Sequence, residues 1–371
     1  MTLLTTSGLF RTLARWLRPI IELGRLLRDC ARTYRRLHEL GILGMNQRNA
    51  VCILDHNPRC RFPIVDDKLR MYHLCRAIGV PTPEVYAVFQ AHAQLRHLAE
   101  VLADRAEFVV KPARGSAGRG VLVVMGRGRG TGYLRHNGEV LSLEALRQHL
   151  SDIISGMYSL GGQPDTALIQ QRLRLHPALA PYAYKGIPDV RVIVYRGQPA
   201  MAMLRLHPAL APYAYKGIPD VRVIVYRGQP AMAMLRLPTR QSGGRANLHQ
   251  GGIGVGIDLD TGRAIHAVQH NRALRSHPDT GIDLLTLRVP AWPAILRMSC
   301  LVAEAVGLGY VGVDIVLDAV QGPMLLEANA RPGLAIQIAN GQGLVPRLRR
   351  IDAALAQRDL ASQPSPTCLV G

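Results

Sequence analysis

A chain of 371 residues, 48% of them hydrophobic, can bury a substantial core, as one large domain or as two to three lobes. It has no run of eighteen uncharged apolar residues, no secretory-type N-terminus, and six cysteines (Cys30, Cys52, Cys60, Cys75, Cys300, Cys368) without a CxxC; these argue against a spanning helix, export and a disulfide scaffold, and make reduced, cytoplasmic thiols the expectation. The formal charge of +19 invites a nucleic-acid partner, yet aromatics are only 5% and leave few platforms for bases, so the basic excess also suits ATP, an anionic peptide or ribosomal RNA.

Residues 9–40 read as a helix. Leu9, Leu13, Leu17, Ile20, Leu23 and Leu27 recur at steps of three and four, with Arg11, Arg15, Arg18, Arg25, Arg28 and Arg32 between them. Pro19 is expected to kink this helix and Gly24 to weaken it. A basic amphipathic helix suits an anionic membrane surface, or the flank of its own protein. From about residue 63 the pattern turns to short strands alternating with helices, an α/β or α+β arrangement.

The basic residues are overwhelmingly arginine; lysine occurs only at 68, 111, 185 and 216. A compact ammonium and a planar guanidinium are not interchangeable at a phosphate, which singles out Lys68 and Lys111, although ordinary surface lysines would look the same. "EFVVKPARGSAGRGV" (107–121) is an apolar strand ending in Lys111, followed by Gly115, Ser116, Gly118 and Gly120. Glycines let backbone N–H groups close on phosphate oxygens with no Cβ in the way. The lysine precedes the glycines, so this is not a Walker A loop; a hairpin turn has the same composition.

Arg174 to Leu204 is repeated residue for residue as Arg205 to Leu235. Repeat folds need three or more units, and their copies drift, so this 31-residue unit is a surplus tandem copy in one domain. It adds three positive charges, from Arg174, Lys185, Arg191 and Arg196 less Asp189. Within each unit "DVRVIVYRGQPAMAML" reads as a β-hairpin. The second copy is expected to form the native hairpin, because it runs directly into "RLPTRQSGGRANLHQGG". The first follows its preceding segment just as directly, and a hybrid of the two is the alternative.

"GGRANLHQGG" (243–252) is a glycine-framed polar loop in which Arg245 and Asn247 alternate. "GLGYVG" (307–312) satisfies GxGxxG, but a helix precedes it and a strand follows. That order is the reverse of the dinucleotide-binding fingerprint and excludes it. "GYVGVDIVLDAVQGPMLLEANARPG" reads as two strands about a turn at 318–323, which sets Asp314 across from Glu327 with Asn329 on the Glu327 face. Opposed carboxylates destabilise a sheet unless a cation sits between them or both stand on an open, solvated face. With an amide carbonyl they form a hard oxygen set suited to Mg2+. "ASQPSPTCLVG" closes the chain as a frayed tail.

Together these pieces resemble the ATP-grasp carboxylate–amine ligases, and among them the RimK-type, α-L-glutamate ligase-like proteins. The resemblance covers about Ile42 to Arg350 and rests on "GILGMNQRN", "VDDKLRMYHLCRAIGVPTPEVY", "FVVKPARGSAGRGV", "GIPDVRVIV", "GGRANLHQGG" and "GVDIVL…LLEANARPGL" in family order. It implies an ATP-grasp fold, α+β, with nucleotide held between two lobes. The expected segments are a helical N-terminal region (1–62), a small lobe (63–165), a C-terminal lobe (166–352) and a tail (353–371).

By position, the resemblance gives Lys68 and Lys111 to the nucleotide and Gly115, Ser116, Gly118 and Gly120 to the phosphate flap. It gives Gln171, with the backbone of Arg172 and Leu173, to the adenine hinge, where RimK-type enzymes usually carry Glu. Asp220 or its twin Asp189 corresponds to the ribose aspartate, Arg222 or Arg191 to a reaction-centre arginine, and Arg245 with Asn247 to the triphosphate pair. Asp314, Glu327 and Asn329 correspond to the Mg2+ or Mn2+ ligands. The implied chemistry is ADP-forming amide synthesis through an acylphosphate, with glutamate as the suggested amine. The family usually begins with a separate α/β domain; here about sixty residues, read as mostly helical, precede Lys68.

Overall fold

The computed structural model describes residues 6–115, 119–128, 130, 132–135, 138–174, 176–182, 189–195, 198–204, 220–226, 229–237, 239–241 and 251–361; along the duplicated strands it describes the backbone, with only Met234 and Leu237 as side chains. The chain divides into two units, Met1–Ile42 and Leu43–Gly371. The first is essentially one helix, α1 (Thr6–Glu39). Its helical assignment is continuous through Pro19. Among the described residues no helix is long and apolar enough to cross a membrane.

The second unit opens with short helical turns: α2 (Met45–Gln47), a π-helical stretch Arg48–Leu54, and α3 (Phe62–Asp66). Then comes α4 (Lys68–Ala77), started by Asp67, whose carboxylate accepts from Leu69 N (3.0 Å) and Arg70 N (3.2 Å).

Six strands then form an antiparallel sheet. In chain order they are β1 (Val85–Phe89), β2 (Phe108–Pro112), β3 (Leu122–Arg127), β4 (Tyr133–Arg135), β5 (Val140–Leu141) and β6 (Ala167–Gln170); across the sheet the order is β1-β6-β2-β3-β4-β5. A short helix, α5 (Leu98–Val101), precedes β2, and α6 (Leu143–Ile154) covers one face. Ser142 Oγ caps α6 by accepting from Ala145 N (3.1 Å). Leu146, Leu150 and Ile153 of α6 bury against Phe108, Val110 and Ile169. Alternation along β2 turns Val109 and Lys111 to the other face.

The second sheet contains β7 (Asp189–Tyr195), β8 (Gln198–Leu204), β9 (Asp220–Tyr226), β10 (Gln229–Leu237), β11 (Ile253–Ile257), β12 (Ala264–Gln269), β13 (Arg272–Ala273), β14 (Tyr310–Asp318) and β15 (Gly322–Asn329). Helix α7 (Trp292–Val306) packs Ile295, Val302 and Val306 into a core with Val255, Val313 and Ile315; α8 (Ile336–Asn340) and α9 (Val345–Ala361) follow. Apart from strands contributed by different copies of the repeat, the pairing is antiparallel, which makes the fold α+β.

The helix-then-strand order of "GLGYVG" holds. Gly307 is the left-handed cap of α7 (φ 69°), a Cβ on Gly309 would stand 2.6 Å from His56, and Gly312 lies in β14 opposite Asn329.

The two copies of the repeat address one place in this sheet. Strand β14 pairs with β7 from Val311 to Val316 and with β9 at Tyr310 and Val311. Val311 thus faces both Val194 and Val225, the same residue of the two copies. β7 and β9 lie parallel with identical residues matched, Asp189 with Asp220 through Val192 with Val223. A strand has two hydrogen-bonding edges, whereas β9 pairs with β14, β7, β8 and β10. One strand cannot hold all four at once. The sequence repeat also runs beyond the hairpin, Leu173–Leu206 recurring as Leu204–Leu237, so either copy brings the same residues to β11.

Candidate functional site

Asp314 and Glu327 are paired in register across β14 and β15, as expected, and Gly312 pairs with Asn329. Asp314 is fully buried (0% exposed). Asn329 Nδ2 donates to Glu327 Oε1 (3.2 Å), which holds the two side chains together. On the same sheet face Val316 and Met324 form a small apolar cluster with Leu173, which arrives from the connection after β6. On its other side Asp314 is in register with Arg191 of β7. The flank beside Asp314 is thus taken along most of its length by the first copy, and the flank beside β11 by β10 of the second. Both copies therefore reach this sheet, β7 with Asp189 and Arg191 along β14, and β9 with Asp220 and Arg222 beside β10 and meeting β14 at Tyr310 and Val311.

The open end of this hairpin is held by residues far away in sequence. Asn57 Nδ2 donates to Tyr310 O (2.6 Å) and Ala330 O (3.1 Å), and Asn57 Oδ1 accepts from Tyr310 N (2.7 Å). Arg48 donates to Pro332 O (2.8 Å), and Gln337 brackets Leu43 through both its backbone groups. "GILGMNQRN" therefore braces the turn that follows Asn329.

The Gly-rich loop is pinned at both ends. At its start, Arg114 N donates to both oxygens of buried Asp165 (3.2 and 3.0 Å), which also accepts from Ser159 Oγ (2.9 Å) and Thr166 N (2.7 Å). Lys68 Nζ donates to Gly115 O (2.7 Å) and Ala113 O (3.4 Å). At its end, Gly120 has φ 74°, and a Cβ there would lie 2.6 Å from the Tyr158 ring. His149 Nε2 meets Gly120 O at 3.0 Å, and burial holds the His149 pKa below its ordinary 6.5. Lys111 is buried on β2, on the sheet face away from the α6 core. Ser116, Gly118, Arg245 and Asn247 lie outside the described residues.

The connection at 171–174 is braced rather than open. Gln171 N donates to Glu84 O (2.8 Å) and Gln171 Oε1 accepts from Glu84 N (3.2 Å), so these two groups are spent on the residue just before β1. Arg172 Nε and NH2 donate to Glu107 Oε2 (3.0 and 2.8 Å), and Arg174 N donates to Asp318 Oδ2 (2.7 Å). Burial alone would raise the Glu107 carboxyl, but the Arg172 hydrogen bond and the charges of Arg172 and Arg174 hold it below its usual range. A cleft of about 430 Å3 opens beside this connection. Its Arg105, Arg172 and Arg174 are balanced by Asp104, Glu107 and Asp318, leaving no net charge to attract a phosphate.

The sequence reading missed Asp165, Ser159, His149, Tyr158 and Asn57. Each is a single polar residue in a segment with no motif, and Asp165, His149, Tyr158 and Asn57 meet groups far off in the chain. Only the Asp before the strand at 167 gave any local signal, and a turn residue would give the same.

The residues at Asp314 have the chemistry for a divalent cation: two carboxylates in register and an amide beside them, all hard oxygen donors. Among the described residues no group of three or more His, Cys, Asp or Glu is gathered to hold a metal, so such an ion would take its remaining oxygens from a ligand or water.

Comparison with protein families finds the sugar-transfer associated ATP-grasp family over residues 47–207 and 205–353. The two matched segments meet at the junction of the repeat. Comparison with curated proteins gives no match. Among solved structures the chain is similar to the ATP-grasp ligase PsnB complexed with minimal precursor (16% identity, TM-score 0.37, covering 81% of this chain and 64% of that one). It is also similar to D-alanine–D-alanine ligase from Bacillus anthracis (12%, 0.43, 83% and 72%) and to D-cycloserine synthetase DcsG (16%, 0.40, 81% and 72%). The chain thus spans less than two thirds of the PsnB chain.

Proposed function

Because the chain belongs to the sugar-transfer associated ATP-grasp family, we propose that it is an ATP-dependent, ADP-forming ligase that joins a carboxylate to an amine. The observation that carries this reading is the Asp314–Glu327–Asn329 face, abutted by the apolar Leu173–Val316–Met324 cluster. Three oxygen donors for Mg2+ stand beside a surface suited to a purine.

In this reading the pinned loop 114–120 closes over the phosphates, Lys68 and Lys111 offset their charge, and Asp314, Glu327 and Asn329 hold Mg2+ (or Mn2+), which when bound would neutralise phosphate charge. The backbone of Arg172 and Leu173 borders the adenine, and Asp189 or Asp220 takes the ribose. Arg191 or Arg222, with Arg245 and Asn247, faces the reacting phosphate. A substrate carboxylate attacks the γ-phosphate and ADP leaves. An amine then displaces phosphate from the acylphosphate to give the amide. No protein nucleophile is needed; the residues orient reactants and neutralise charge. The motif resemblance supports a RimK-like, glutamate ligase-like enzyme with glutamate as the amine, working in the cytoplasm, where ATP is supplied.

The repeat favours a second reading, in which the surplus copy occupies the sheet unproductively and the chain binds nucleotide without turnover. Calorimetry with Mg·ATP on the full chain, and on the chain lacking 174–204, separates the two. Mg2+-dependent binding by both, with ADP released when glutamate and a carboxylate acceptor are supplied, is the expected result. Binding only after the deletion supports the second reading. Binding by neither chain overturns the ligase assignment.

A further inference from the structure

Helix α1 spans Thr6–Glu39, and its sequence carries a longer pattern than its first turns suggest. From Leu9 to Leu37 apolar residues recur at alternating steps of four and three, nine in succession, with Trp16, Cys30 and Tyr34 among them. In heptad terms these are the a and d positions. A two-stranded coiled coil would set charges at the flanking e and g positions to fix its partner. Here those positions carry no acidic residue, lysine or arginine and include Phe10, Leu17 and Leu26. All eight arginines and all three acids of the helix fall at b, c and f, with Arg11, Arg18, Arg25 and Arg32 in line at f. The apolar face is therefore wider than a coiled-coil seam, and the opposite face is strongly basic.

Among the described residues, from Leu23 on, that apolar face is exposed. Leu23, Leu26, Leu27, Tyr34 and Leu37 are 44–73% accessible. The polar face is exposed as well, with Arg32 and Asp29 at 85% and 71%. We propose that α1 lies in the interface of an anionic lipid bilayer, its apolar face in the acyl region and its arginines among the headgroups. A nucleic acid would take the arginines and leave the apolar face in water, whereas another apolar helix face would take the stripe and leave the arginines unanswered. A bilayer of negative charge answers both at once. The helix is not apolar enough to cross, so it would lie along the surface. This inference does not depend on the ligase reading.

The test is co-sedimentation of the full chain with vesicles of phosphatidylcholine, alone or with phosphatidylserine. Binding at least about tenfold tighter to the anionic vesicles is expected. Leu23→Glu/Leu27→Glu should abolish it, and Arg25→Glu/Arg32→Glu should remove the preference for anionic lipid. Unchanged melting of both variants shows that they remain folded. Equal binding to both vesicle types, or none, overturns the proposal. So does self-association without lipid that Leu23→Glu/Leu27→Glu breaks, or RNA binding that survives that variant while vesicles are ignored.

Discussion

Asp314 and Glu327 face each other only because the ladder between β14 and β15 is bulged. Ile315 pairs with Leu325 while Asp314 pairs with Glu327, so Leu326 is the extra residue. In an unbulged ladder Leu326 would stand across from Asp314, and Glu327 would turn toward the buried Val313 face. Asp314→Asn and Glu327→Gln should each weaken Mg·ATP binding by at least the roughly 10–100-fold that follows loss of an outer-shell metal partner. Calorimetry in Mg2+ and in EDTA should show that the loss is confined to the Mg2+ condition.

Removing 174–204 or 205–235 yields the same polypeptide, since the copies are identical and abut. Deletion therefore cannot say which copy works, but a mark in one copy can. Val194 and Val225 both pair with Val311, so a working site that can use either copy tolerates the loss of one. Arg191→Ala or Arg222→Ala alone should leave about half the population competent and ADP formation within about twofold; the double variant should lose it. One silent and one inactive single variant would show a fixed occupant. Deleting one copy should also relieve a loop-closure cost on the order of 3 kcal/mol, read as a higher urea midpoint.

Asp165 holds the start of the Gly-rich loop through Arg114 N, Ser159 Oγ and Thr166 N. Asp165→Asn turns an acceptor into a donor at a site crowded with donors and should cost about 1–3 kcal/mol. Urea denaturation checks the loss, and a parallel fall in ATP affinity would tie it to the loop.

His149 is kept neutral by burial beside Gly120, with its pKa below 6.5. The unfolded chain takes up this proton first as pH falls, so the His149 contribution to stability is present above pH 6.5 and lost below it. Melting temperatures between pH 7.5 and pH 5 should decline, and His149→Gln should remove part of that slope.

The thiols should divide by burial. Cys52 and Cys75 are buried, with pKa values pushed up to about 12 by desolvation, while Cys30 and Cys60 are exposed. A thiol reagent at pH 8 should modify Cys30 and Cys60 in the folded protein and reach the other two only in denaturant.

Local pattern was enough to reveal the long N-terminal helix, the α7–β14 order that rules out a dinucleotide motif, the two-stranded segment carrying Asp314 and Glu327, and the repeat. Helical stripes and strand–turn–strand segments arise from contacts among residues a few positions apart, and the sequence records those directly. The repeat was visible as letters, but only the sheet shows that both copies address the same residue of β14. The bulge at Leu326, the hold of Asp165 on Arg114 fifty-one residues away, the use of Gln171 on Glu84, and the place of Lys68 beneath the loop were decided by tertiary structure. Each depends on which distant backbone groups are buried together and must find hydrogen-bond partners, and nothing in a residue's own neighbours states that.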